Sequence, residues 1–317
     1  VRKALGAAAL GCGIFFSGIA SAADSLPEAG PVPAATVQRL LLLDARVVGK
    51  KIVAVGDHGF IVLSDDGGKT WRRAKAPAAP LLTGVDFSGE HGLAVGHDAT
   101  ILASDDGGET WAQRFSDPKA SGPLLDVAFI TRDFAIAVGS YGAYYESHDG
   151  GKTWAARKII AEDKHFNAIV PLGDNRLMIL GEAGTILAST DNGKNWSAVT
   201  SPYQGSFFGA QVAADGAIVA YGMRGHIYRS KDQGKNWQQV DNASVFSLLG
   251  SERLADGSIV LAGVGGTALV SRDNGVSFQP IVTKTTRTFA KPLPGGDSTV
   301  LLLGEAGARD ATLAAKR

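Results

Sequence analysis

The stretch S-D-D-G-G-K-T-W at Ser64–Trp71 concentrates carboxylates and glycines in one short turn. Convergent oxygens on a glycine-rich turn are what a bound calcium ion requires. A second candidate is the pair His58 and His97, each beside an aspartate, Asp57 and Asp98. Neutral imidazole and carboxylate are ordinary metal ligands. Each has a plainer reading. Calcium loops usually end in a bidentate glutamate, which this stretch lacks. The histidines read equally as two solvated loop residues, and no metal is expected.

The acidic stretch is one of six. Copies begin at Ser64, Ser104, Ser147, Ser189, Ser230 and Ser271, spaced 40 to 43 residues apart. All five tryptophans, Trp71, Trp111, Trp154, Trp196 and Trp237, close a copy, and Phe278 closes the sixth. A period of this length means stacked or radially arranged units. Asp66, Asp106, Asp149, Asp191, Asp232 and Asp273 then read as turn-forming carboxylates that accept backbone N–H groups. Gly68 and its five counterparts supply positive φ, and the aromatic ring packs under the turn. The six stretches are structural clasps, with no catalytic residue among them.

Each clasp is fed by short, β-branched strands such as F-I-V-L-S and T-I-L-A-S. Before those, a strand ends in glycine seven times, at Gly56, Gly96, Gly139, Gly181, Gly222, Gly263 and Gly304. A fourth strand follows each aromatic, for example over Trp71–Ala76, Trp154–Ile160 and Trp237–Val240. Four antiparallel strands in about 41 residues make a propeller blade. Seven glycine-ended strands against six clasps predict an all-β, seven-bladed β-propeller over 37–317, with six blades as the alternative. The last unit is expected at Thr286–Lys291 and Thr299–Leu303, completed by an N-terminal strand that joins the ring's ends.

Lysine plus arginine and aspartate plus glutamate number 31 each, so bulk charge favours neither nucleic acid nor an anionic surface. Arg2 and Lys3, the apolar run Ala4–Ile19 and the small residues at Ala20–Ala23 read as a signal peptide over 1–23. Cleavage near Ala22 or Ala23 predicts a periplasmic or secreted protein. Cys12, the only cysteine, would leave with it, which excludes disulfides, thiolate metal sites and a cysteine nucleophile. Residues 24–36 are rich in proline and alanine, a linker or an edge segment that pairs later in the chain.

The six copies resemble the Asp-box (BNR) repeats of sialidases and other propellers. The fuller unit A-V-G-x-x-G-x-I-L-x-S-x-D-G-G-x-T-W is more similar to the photosystem II stability and assembly factor family, over Val37 to about Gly307. That resemblance implies a seven-bladed, non-enzymatic propeller that holds a membrane-protein client on an arginine-bearing surface. Here the clearest such arginines are Arg224 and Arg287. Sialidases add an arginine triad and a tyrosine–glutamate pair. No F-R-I-P-like arginine motif occurs, and Tyr144, Tyr145 and Glu146 read as an ordinary third strand.

Topology indicates where a ligand would sit. Links from second to third strand and from blade to blade share the face opposite the clasps, where loops vary freely. That face carries Asp57, His58, His97, Asp98, Tyr141, Glu182, Tyr203, Arg224 and Arg287. Its mixed charge and tyrosines suit a protein surface. The expectation is a protein-binding propeller that assists a membrane protein or export complex, without cofactor. A glycan-binding or glycoside-hydrolysing propeller is the alternative, and a scaffold without a client a third reading.

Overall fold

The computed structural model describes residues 29–120, 122–296 and 298–313. The expected signal segment lies outside them. The described chain forms seven antiparallel sheets, five of four strands, one of five and one of three. Blade 2 is representative, with strands Leu82–Ser88, His91–Gly96, Ile101–Ser104 and Ala112–Phe115 in that order. The seven-bladed count is thereby established.

Second strands are the most buried. Lys51–Gly56 and its six counterparts are buried almost throughout, because each is covered on both faces by neighbouring blades. Core clusters are correspondingly interblade. One joins Val53, Val55 and Leu63 of blade 1 to Leu82, Ala94 and Trp111 of blade 2. The glycine ending each second strand is required by close approach, its backbone being extended. A Cβ on Gly56 would stand 1.9 Å from the Leu41 carbonyl oxygen, and one on Gly304 2.1 Å from that of Thr288.

The outer strands are shorter than the sequence suggests. Three expected runs shrink to Trp71–Arg73, Ala155–Ala156 and Gln238–Gln239. The outermost strands Ala155–Ala156 and Gln238–Gln239 are exposed, so little packing extends their pairing.

The ring closes differently from the expectation. The N-terminal strand Gly30–Val32 pairs with Trp71–Arg73 and becomes a fifth strand of blade 1. Blade 7 is completed from within the C-terminal chain, by Phe289–Pro294, Thr299–Gly304 and Gly307–Thr312. Its first strand starts later than predicted, at the bulge that every inner strand carries near its start. Blade 7 meets blade 1 through side chains. Leu293, Leu301 and Leu303 pack with Leu42, Ile52, Ala54 and Trp71, and the single turn of helix Ala34–Val37 adds Val37.

Candidate functional site: the rim opposite the clasps and the central channel

Each clasp is a closed hydrogen-bond circuit. In the first, Ser64 Oγ donates to Asp66 (2.9 Å) and accepts from Gly68 N (2.8 Å). Thr70 donates to Asp66 from both N (2.9 Å) and Oγ1 (2.6 Å). Trp71 Nε1 donates to the Gly68 carbonyl at 2.9 Å. The same serine–aspartate–glycine circuit recurs in all six copies. Donors from Thr70 hold the Asp66 carboxyl down at about 2, and those from Thr153 do the same for Asp149. These oxygens are engaged by their own turn. Among the described residues no three histidine, cysteine, aspartate or glutamate side chains gather as a metal site.

On the opposite face five of the seven second-to-third-strand links are 3-10 turns, such as Asp57–Gly59 and His97–Ala99. Their central residue is left-handed, with φ of 52° at His58, 56° at Asp98, 55° at Tyr141 and 57° at Arg224. Side chains there stand outward, since the left-handed backbone turns them away from the sheet. His58 and His97 are therefore not counterparts. His58 occupies the middle of its turn and His97 the start of the next, where Asp98 is the counterpart. Asp57 pairs with His58 Nδ1 at 3.0 Å.

Interblade links lie against these turns. Asp117 N donates to the Asp98 carbonyl, Gly142 N to that of Lys164, and Gly184 N to that of Gly205. Turns and links thus form one continuous rim. Some of the expected rim residues brace it. Glu182 accepts from His165 N at 3.0 Å, and Tyr203 packs its ring against His226, Phe207 and Tyr228. Tyr141 is half exposed and meets His165 edge-on at 4.7 Å between ring centres. His58, His97, Asp98, Arg224 and Arg287 are exposed.

The sequence reading passed over the central channel, a cavity of about 440 Å³ lined by the inner strands. Asp44, Arg46 and Asp126 face it on blades 1 and 3, as does Lys291 of blade 7 beside blade 1, with Asp86 of blade 2 within reach of Arg46. Arg46 bonds Asp44 at 3.0 Å and Asp86 at 3.1 Å. Each carboxylate also reaches the next blade's backbone. Asp44 accepts from Val85 N, Asp86 from Phe129 N and Asp126 from Ile169 N, at 3.0, 2.8 and 2.9 Å. Lys291 Nζ ties blade 7 to blade 6 through the Ser251 carbonyl and Glu252. Burial, then the Asp44 charge, pushes Asp126 up to about 7. The signal for these residues was present. Asp44 and Asp126 occupy the same place in two largely apolar strands, Leu42–Val48 and Leu124–Phe129.

Tyr144 and Glu146 do meet, the phenol donating at 2.9 Å, with Arg157 on Glu146 at 2.9 Å. They sit on the third strand of blade 3, outside the channel lining. Burial and then the Glu146 charge push the Tyr144 phenol up, the opposite of what a nucleophile needs.

Residues 118–266 match the sequence model described as photosynthesis system II assembly factor YCF48, and 62–73 match the BNR/Asp-box repeat. The chain is an Asp-box β-propeller that resembles the photosystem II assembly factor family. A solved structure described as YCF48 bound to D1 peptide is 22% identical, with a TM-score of 0.70 over 91% of this chain and 95% of that one. YCF48 from Cyanidioschyzon merolae is 20% identical, with a TM-score of 0.69 over 90% and 98%. The Niastella koreensis GH74 enzyme is 16% identical, with a TM-score of 0.65 over 87% of this Asp-box propeller and 43% of that chain. No curated protein sequence matches. At these identities the structural likeness concerns the ring itself.

Proposed function

We propose that this protein is a non-enzymatic propeller that binds a segment of another protein and assists assembly of a membrane or envelope complex. The observation that carries the reading is the match of 118–266 to an assembly-factor family, one solved propeller of which is described with a D1 peptide. The binding surface is the rim opposite the clasps, where tyrosine, histidine, arginine and carboxylate side chains stand on a rigid ring. Mixed polar and aromatic surface on a fixed scaffold suits protein recognition. The protein acts in the periplasm or outside the cell, as the N-terminal signal pattern implies.

Affinity purification from envelope extracts after chemical crosslinking tests this reading. It predicts recovery of a membrane or envelope protein in stoichiometric amounts. Recovery of none, with the propeller folded and abundant, overturns it.

A further inference from the structure

Exposed apolar side chains are unevenly distributed over the ring. Among the described residues seven large ones stand exposed, and five of these lie on the rim opposite the clasps. Four of the five, Val245, Phe246, Val264 and Val282, fall in consecutive turns and links of blades 5 to 7. Val245 is 77% exposed, Val282 75% and Phe246 51%. Isolated exposed valines need no explanation, whereas a contiguous set does.

Hydrogen bonds and packing seat the links that carry these residues against neighbouring turns. Ser247 Oγ accepts from Arg224 N at 3.2 Å, which seats the 241–247 link on the blade 5 turn. The Phe246 ring lies over Gly265, where an added Cβ would stand 3.4 Å from it. Thr283 Oγ1 donates to the Gly266 carbonyl at 2.8 Å, bringing the next link alongside. Towards the axis, Phe208 and Leu249 line the channel on blades 5 and 6.

Charge follows the same division. On blades 1 to 4 the turns and links carry six carboxylates, Asp57, Asp98, Asp117, Glu162, Asp163 and Glu182, against Lys75, Lys119, Arg157, Lys158 and Lys164, a net negative balance. On blades 5 to 7 they carry Arg224, Lys284 and Arg287 against Asp241 and Glu305. Glu305 is occupied, accepting from Thr288 N at 3.1 Å. Arg224 and Lys284 form no ion pair among the described residues, so two cations flank the apolar strip.

We infer that the strip Val245–Phe246–Val264–Val282 holds an extended peptide segment of the partner protein, with apolar side chains flanked by carboxylates. This rests on the protein-binding reading and assigns it a place and a peptide chemistry. Apolar side chains of the segment cover Phe246 and its valine neighbours, while its carboxylates face Arg224 and Lys284. The rim of blades 1 to 4, with carboxylates in slight excess and no such apolar strip, favours the same segment less.

The test pans a random twelve-residue peptide display library against the whole chain, then measures the enriched peptides on variants. Peptides combining aspartate or glutamate with aliphatic or aromatic residues are expected. Their binding should fall at least tenfold in Phe246→Asp and in Val282→Asp, and several-fold in Arg224→Glu. Lys69→Ala, on the clasp face, should leave it unchanged, and unaltered melting curves confirm folding. Enriched peptides that ignore all three strip variants would overturn the strip and leave protein binding standing. Absence of any enriched peptide would overturn both. Self-association abolished by Phe246→Asp would assign the strip to a second copy and overturn the peptide.

Discussion

Gly68, in the first clasp, lies against Leu301 of the last blade. A Cβ added to Gly68 would come within 2.8 Å of a Leu301 methyl. The contact repeats around the ring, with Gly108 on Val53, Gly151 on Leu93, Gly193 on Ile136, Gly234 on Met178 and Gly275 on Val219. Each clasp docks on the second strand of the blade before it. The junction of blades 7 and 1 is therefore built like the five junctions from blade 1 to blade 6, without strand exchange.

Two adjacent glycines separate strain from packing. Gly67 and Gly68 have φ of 75° and 90°, but nothing stands within 4 Å of a Cβ on Gly67. Gly67→Ala should cost about 1 kcal/mol, the ordinary penalty of a left-handed alanine. Gly68→Ala should cost roughly 1–3 kcal/mol more, because Leu301 must shift. Gly67→Asn should be nearly neutral, since Asn192 and Asn274 occupy that place at φ of 58° and 60°. Urea unfolding of the three variants gives the ranking.

The clasps make the fold acid-sensitive over a defined range. Asp66, Asp149, Asp191 and Asp232 are held at about 2, below an unfolded aspartate near 4. A depressed carboxyl stabilises the fold above its unfolded value and loses that contribution as pH falls through the folded one. Stability should therefore drop between pH 4 and 2. Asp149→Asn should flatten part of that drop, as followed by melting temperature against pH.

Asp126 works in the opposite sense. Its folded value, about 7, lies above the unfolded one, so the folded state retains a proton that the unfolded chain releases. Stability should decline as pH rises from 4 through 7. Asp126→Asn should remove that decline and raise the melting temperature at pH 8 relative to the parent chain. A parallel pH profile in the variant would contradict the placement of Asp126 in the channel.

Much of this architecture was legible in the chain. Blade number followed from seven glycines such as Gly56 and Gly304, whose role is a backbone approach that no Cβ survives. Clasps were legible because their hydrogen bonds are local, from Ser64 to Trp71. What escaped was non-local. Gly30–Val32 finds its partner 41 residues away, and its short sequence contains nothing that chooses blade 1 over blade 7. Gly307–Thr312 carries no clasp to announce it. Topology predicted that turns and links share one rim, as the Asp117 N bond to the Asp98 carbonyl shows. The rim's apolar strip depends on residues from separate links, Phe246 and Val282, that flank the turn of blade 6.

Glycoside chemistry offers a direct contrast. Tyr144→Phe should leave any partner binding intact and lower stability by about 1 kcal/mol, for one lost hydrogen bond. No turnover of a fluorogenic glycoside panel is expected from the parent chain. Turnover abolished by replacing a rim carboxylate would instead support the hydrolase alternative.

The central claim is that the rim opposite the clasps is the working face. A photo-crosslinking residue placed in turn at Tyr141, Arg224 and Phe246, and on the clasp face at Lys69 and Lys194, tests it in intact cells. The account predicts a discrete adduct with one protein from rim positions and none from the clasps. Adducts confined to Lys69 and Lys194 would contradict it.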